Sequence, residues 1–343
     1  MGVDLSPLIE DSLKQEIQLD NLNGKKLSID AYNALYQFLT TIRGEDGSPL
    51  MDSQGRITSH LSGLFYRTVN FIEKGLKVVY VFDGKSPELK AKEIEERKKV
   101  REEALKMYEE ARAQGNEELM KKYATRAAFL KSYMVEDSKK LLELMGVPWV
   151  DAPSEGEAQA AYMALRGVTW GSVSQDYDSL LFGSPRLVRN LTVSGKRKLP
   201  NKDIYVEISP EIIETEKILK FYEITREQLV DIGILVGTDF NIGIKGIGPK
   251  TALKLIKKYG RIENIKEIEH LSEFLPQEVL SEVRRIFLEP QVKDVQQLDW
   301  KQPNEEGLIK FLCDERNFSV ERVKNALNRI KKRPAAGSLD QWF

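Results

Sequence analysis

Three short apolar runs, rich in β-branched residues, each lead directly into acids. Leu27-Ser28-Ile29 leads to Asp30, Val78-Val79-Tyr80-Val81-Phe82 to Asp83, and Gly171-Ser172-Val173-Ser174-Gln175 to Asp176 and Asp178. Runs of this kind read as buried strands, expected over residues 26–29, 77–82 and 169–174, with a weaker candidate at 147–150. Helical spacing fills the stretches between them. Strands alternating with helices imply an α/β fold, a mostly parallel central sheet flanked by helices. Ligands of such sheets gather at the carboxyl ends of the strands. Glu155 and Glu157 belong to the same edge, in Pro153-Ser154-Glu155-Gly156-Glu157, where Ser154 is placed to cap a helix running on from Ala158. Asp239 joins them from the end of Ile234-Leu235-Val236-Gly237-Thr238-Asp239.

Taken singly, an acid after a strand is a turn former or a helix cap. The set of seven is different, because like charges gathered within a few ångströms repel unless cations neutralise them. Oxygen donors without imidazole or thiolate favour magnesium or manganese over zinc. Seven carboxylates are too many for one ion and point to two. Two ions about 4 Å apart suit phosphodiester hydrolysis, a reaction that needs no protein nucleophile. Composition excludes the main alternatives. With one cysteine (Cys313) and two histidines (His60 and His270), the chain cannot build a disulfide framework, a Cys/His zinc site or a Cys-His nucleophilic pair. A reducing, cytoplasmic setting is expected. No apolar run approaches the roughly 20 residues of a membrane span, and nothing at the amino terminus reads as a secretory signal.

The chain has 343 residues and a formal net charge of -1, yet 31% of its residues are charged, which leaves room for separated acidic and basic surfaces. Residues 241–260 hold five lysines (Lys245, Lys250, Lys254, Lys257 and Lys258) and no acid, and 196–202 add Lys196, Arg197, Lys198 and Lys202. Such a run by itself is a solvated face. In 243–250, however, a Gly-rich turn opens a helix, so free backbone N–H groups and two glycines could cradle a phosphate. Residues 85–131 form a charged helical pattern with thirteen Lys/Arg and ten Asp/Glu, interrupted near 114–116, which reads as a helical hairpin standing off the core. Lys90 and Arg97, seven apart, share a face of it, with Arg101 one turn further on. Glu93 offers Arg97 an ordinary i,i+4 ion pair as the bland alternative.

Taken together, Met1-Gly2-Val3-Asp4-Leu5, Asp30-Ala31 through Tyr36-Gln37-Phe38-Leu39, Val81-Phe82-Asp83-Gly84-Lys85, Glu155-Gly156-Glu157-Ala158, Asp176-Tyr177-Asp178 and Gly246-Ile247-Gly248-Pro249-Lys250 resemble the flap endonucleases of archaeal and eukaryotic type, over essentially the whole chain. The resemblance implies a PIN-like nuclease core that cuts branched DNA near the base of a 5′ flap, with 5′-3′ exonuclease activity beside it, in Okazaki fragment maturation and repair. It implies an N-terminal nuclease part (1–98), a helical arch over the active site (85–133) and an intermediate nuclease part (116–258) with a helix-turn-helix-type duplex grip near 231–260. C-terminal helices (259–332) and a flexible clamp-binding tail (333–343) would follow. Asp30, Asp83, Glu155, Glu157, Asp176, Asp178 and Asp239 would surround two magnesium ions, with manganese able to substitute and Asp176 and Asp178 central to catalysis. Lys90 and Arg97 would act at the scissile phosphate, and Tyr36, which pattern alone would make a core tyrosine, would stack a base. Arg43 and Arg67 would touch the DNA backbone, and Glu155, Gly237, Asp239, Lys245, Gly246, Gly248 and Lys250 would complete the DNA contacts, around a potassium ion held by carbonyls of 243–248. Leu339, Trp342 and Phe343 would anchor an otherwise monomeric chain to the PCNA sliding clamp, although Ala336 stands where that peptide usually has glutamine. Two rivals remain. One is a sister nuclease for 5′ ends, bubbles or four-way junctions; the other is a non-catalytic binder of branched DNA, whose signature would be the loss of an acid.

Overall fold

A computed structural model describes residues 2–44, 47–193, 195–198, 205–268 and 270–331. The strands are β1 (Lys14–Glu16), β2 (Lys26–Asp30), β3 (Lys77–Phe82), β4 (Trp149–Asp151), β5 (Gly171–Val173), β6 (Arg186–Arg189), β7 (Gly195–Lys198), β8 (Tyr205–Ile208) and β9 (Glu211–Glu214). Seven of them form one sheet in the order β1-β9-β6-β5-β2-β3-β4, and β7 pairs with β8 separately. The block β6-β5-β2-β3-β4 is parallel, with Leu27 opposite both Val78 and Gly171. β9 and β1 close one side antiparallel. The sheet is therefore mixed rather than all parallel; its antiparallel pair is short and carries charged residues that a search for apolar runs passes over.

Both faces of β3 are buried, as its unbroken apolar run requires. Val78, Tyr80 and Phe82 belong to a core shared with helices α1 (Ala31–Thr41), α2 (Ser59–Glu73) and α5 (Ser132–Leu144), whereas Val79 and Val81 face Ala160 and Met163 of α6 (Gly156–Leu165). Between α2 and α5 stand α3 (Ala91–Ala113) and α4 (Glu117–Arg126), the expected hairpin, broken at Gly115 (φ 66°) and restarted by Asn116, whose side chain accepts from Leu119 N at 3.1 Å. A second core gathers α7 (Asp178–Leu181), α8 (Thr215–Tyr222), α9 (Arg226–Val236), α10 (Pro249–Tyr259) and the helix Gln277–Leu288. It is locked by Arg284, which reaches the nearly buried Asp231 on α9 at 2.7 Å and Glu263 beyond α10. Among the described residues no helix is long and apolar enough to cross a membrane.

Candidate active site

The parallel register puts the ends of β5, β2 and β3 side by side, so their acids meet without any special loop. Asp30 ends β2 and caps α1, accepting from Asn33 N at 3.1 Å. Asp83 follows β3 and accepts the Gly156 amide at 2.6 Å. That bond fixes the start of α6: a side chain on Gly156 would place its Cβ 2.6 Å from the Asp83 carboxylate. The cap of α6 is Glu155, not Ser154 as the sequence reading has it, and the helix begins at Gly156 rather than Ala158. The reason is the Asp83 acceptor, which satisfies the first helical amide from another strand. Glu157, the second residue of α6, accepts the Ser174 hydroxyl, and the same hydroxyl oxygen receives Asp176 N at 3.1 Å. Asp176 also takes Asn33 Nδ2 at 3.1 Å, and Asp178, at the start of α7, takes Val3 N at 2.7 Å.

Burial and mutual repulsion make four of these acids, Asp30, Asp83, Glu157 and Asp178, reluctant to ionise. Burial, then the charge of Asp83, holds Asp30 well above the usual carboxylate range; burial, then Asp178 and Asp176, does the same to Glu157. Burial and Glu155 push Asp83 to about 6, and burial and Asp239 push Asp178 to about 7. Two cations from the hairpin relieve the cluster. Lys90 Nζ pairs with Glu155 and lies 3.4 Å from Asp239, and Arg97 donates to both Asp239 oxygens at 3.1 Å. Burial alone would lower the Lys90 amine, but Glu155, Asp239 and Asp83 outweigh it and hold it above its ordinary value. Phe240 packs under it, 5.7 Å from the ring centre. Arg97 also keeps the i,i+4 pair with Glu93, so the bland and functional partners coexist.

Among the described residues no three of the carboxylates draw tightly enough together to grip one ion as they stand; Lys90 and Arg97 occupy several of their oxygens. The donor set nonetheless suits hard divalent cations: it is all oxygen, desolvated, and already drawing positive charge inward. Neither histidine serves it. His60 is buried against Tyr133, burial lowering it to about 3, and His270 pairs with Glu273 on the surface.

The remaining candidates divide. Tyr36 is 40% exposed on α1 and free to meet a ligand, whereas Tyr32 one turn earlier packs on Phe82. Arg43 is spent on protein carbonyls, those of Thr40 (3.2 Å), Gly47 (2.9 Å) and Ala124 (3.0 Å), and so ties α4 to the segment after α1. Arg67 lies part-buried on α2, burial lowering its guanidinium. Gly237 (φ 107°) and Gly246 (φ 86°) adopt backbone that side chains disfavour, Gly248 caps α10, and Lys245 and Lys250 are exposed beside them. Lys257 and Lys258 are not free, because Glu223 and Glu267 reach them from outside the acid-free run. Among the described residues Lys245, Lys250 and Lys254 make no ion pair, which leaves one basic edge. Leu339, Trp342 and Phe343 lie outside the described residues. Sequence reasoning missed Asn33, Ser174 and the backbone amide of Val3, which orient Asp176, Glu157 and Asp178. Only the three-residue spacing of Asn33 from Asp30 could have drawn notice.

An α/β sheet edge carrying seven acids, spanned by a basic helical hairpin, defines the class of metal-dependent nucleases, and the comparisons agree. The XPG N-terminal domain matches residues 1–104 and the XPG I-region residues 146–239. Flap endonuclease 1 of Pyrococcus horikoshii is 56% identical over 100% of this chain and 98% of its own length; that of Saccharolobus solfataricus is 55% identical over 99% and 100%. The solved flap endonuclease-1 of Methanococcus jannaschii superposes with a TM-score of 0.71 at 43% identity, covering 94% of this chain and 96% of that one. The chain belongs to the flap endonuclease family of XPG-type nucleases. It is a structure-specific flap endonuclease, a hydrolase that acts on branched DNA in replication and repair.

Proposed function

We propose that Asp30, Asp83, Glu155, Glu157, Asp176, Asp178 and Asp239 hold two magnesium ions, replaceable by manganese, beside the phosphodiester at the base of a 5′ flap. Bound there, the ions supply Lewis acidity to hydrolysis by water. The protein's part is positional. Asn33, Ser174 and the Val3 amide orient Asp176, Glu157 and Asp178. Lys90 and Arg97 exchange carboxylate oxygens for those of the scissile phosphate, where positioned cations stabilise developing charge. Tyr36 stacks the neighbouring base. Duplex DNA is gripped without regard to sequence by the amides of 243–248 and by Lys245 and Lys250; the carbonyls of that turn would hold a potassium ion, which would add positive charge beside the phosphates. The arch of 85–133 passes the single-stranded flap, Arg43 and Arg67 meet the DNA backbone once the arch opens, and Leu339, Trp342 and Phe343 dock on a sliding clamp. The setting of this activity is cytoplasmic.

The observation that carries this reading is the pair Lys90 and Arg97, reaching from the hairpin to Glu155 and Asp239 inside a cluster in which Asp30, Asp83, Glu157 and Asp178 titrate high. The test is cleavage of an end-labelled double-flap DNA by the protein and its Asp176→Ala variant, in magnesium or EDTA, with nicked and four-way controls. The expected outcome is one cut at the flap base that needs both magnesium and Asp176. Tight binding without cutting, or cutting of the four-way junction alone, would overturn it.

A further inference from the structure

Between Asp239 and the turn at 243–248, one apolar side chain departs from its neighbours in burial. Phe240 is buried beneath Lys90, Ile244 and Ile247 pack on the second core, and Ile242 between them is 70% exposed. A lone exposed isoleucine is ordinary. This one is held outward by a built loop. Thr238 and Asn241 exchange backbone bonds at 3.0 and 3.4 Å, and Thr238 Oγ1 donates to Asn241 Oδ1 at 2.8 Å. The Asn241 amide then donates to Ile234 O at 2.8 Å and to the carbonyl of Ile242 itself at 3.1 Å. Beyond it the backbone of Gly243 lies so close to α9 that a Cβ there would come within 1.9 Å of Val236 O. The peptide of Ile242 is thus clamped on both sides, and its side chain cannot turn back to the core that takes its neighbours.

We infer that Ile242 is a positioning residue that packs on the deoxyribose face of the duplex strand, between the scissile phosphate and the phosphates held at 243–248. The proposal rests on the duplex grip read above. It follows from place and chemistry: Ile242 lies three positions after Asp239 and three before Lys245, so DNA spanning both passes over it, and sugar rings are the apolar surface a backbone-tracking groove offers. An apolar contact changes affinity and register without releasing counterions, which sets it apart from the lysines.

The experiment uses the full chain, double-flap DNA and magnesium, with Ile242→Ser, Ile242→Val, Lys245→Ala and Lys250→Ala, measured over a range of potassium chloride. Ile242→Ser is expected to raise KM about fivefold with kcat held, on the scale of a partly buried side chain, and to spread cutting to adjacent phosphodiesters. Its salt slope and melting temperature stay those of the parent, and Ile242→Val recovers most of the loss. Each lysine variant lowers the slope of log affinity against log salt by about one. An unchanged KM and cut position for Ile242→Ser beside normal lysine effects would overturn the proposal alone. Silent lysine variants would sink the duplex grip and this proposal together.

Discussion

The carboxylate edge and the lysine turn lie only a few residues apart at Asp239, yet they hold charge in opposite ways. The first buries its acids among one another and accepts the penalty, visible in Asp83 and Asp178 pushed to about 6 and 7. The second leaves Lys245, Lys250 and Lys254 in water, where desolvation costs nothing and each interaction is weak and screened. The difference separates two tasks. A site that acts on one phosphodiester concentrates charge, whereas a surface that holds many phosphates in any sequence spreads it.

The sharpest way to break the contrast is Asp178→Asn. Cleavage should fall at least about a hundredfold, as when a single transition-state contact is lost, while flap binding in calcium or EDTA holds. Melting in EDTA should rise, because a repelled, buried charge is gone. A lowered melting temperature would show that the cluster is held by hydrogen bonds rather than strained by charge.

Next in size is pH. Asp83 and Asp178 have folded values raised above the unfolded 3.8, so their contribution is fully present below that value and lost as pH rises through about 6 to 7. At 1.36 kcal/mol per unit, Asp178 alone gives at most about 4 kcal/mol. Scanning calorimetry in EDTA should therefore find the protein less stable at pH 8 than at pH 5, and excess magnesium should stabilise more at pH 8 than at pH 6, since ligands must shed protons to bind. Identical magnesium shifts at both values would argue against carboxylate ligation. The lysine turn should show neither trend. Its signature is salt: Lys250→Ala should weaken flap binding several-fold at 0.1 M potassium chloride with kcat kept, and the deficit should shrink as salt rises. The smallest effect concerns the arch. Arg43→Ala removes the bond to Ala124 O and should speed hydrogen exchange along α4, with global stability lowered by no more than about 1 kcal/mol.

Much of this was legible in the sequence, and the reasons are local. β3 was readable over its full length, because a strand buried on both faces must be apolar throughout. The convergence of Asp30, Asp83, Asp176 and Asp178 followed from parallel strands ending at one edge. β1, β6 and β9 escaped notice because their charged residues break the apolar pattern, and the second core because amphipathic helices such as α10 announce a buried face without naming its partner. The orienting contacts of Asn33, Ser174 and Val3 were illegible for a plainer reason: they join residues up to 175 positions apart through single hydrogen bonds. The lysine run misled in part, since Glu223 and Glu267, which neutralise two of its members, stand outside it.

Gly156 contributes no reacting atom and no charge, yet the room it leaves is what lets Asp83 receive its amide and seats Glu155 and Glu157 on either side. Part of the site's specification is therefore written as missing volume. A survey that replaces residues one by one with alanine would see a methyl group at this position abolish activity, and would score as catalytic a residue whose whole contribution is to be absent.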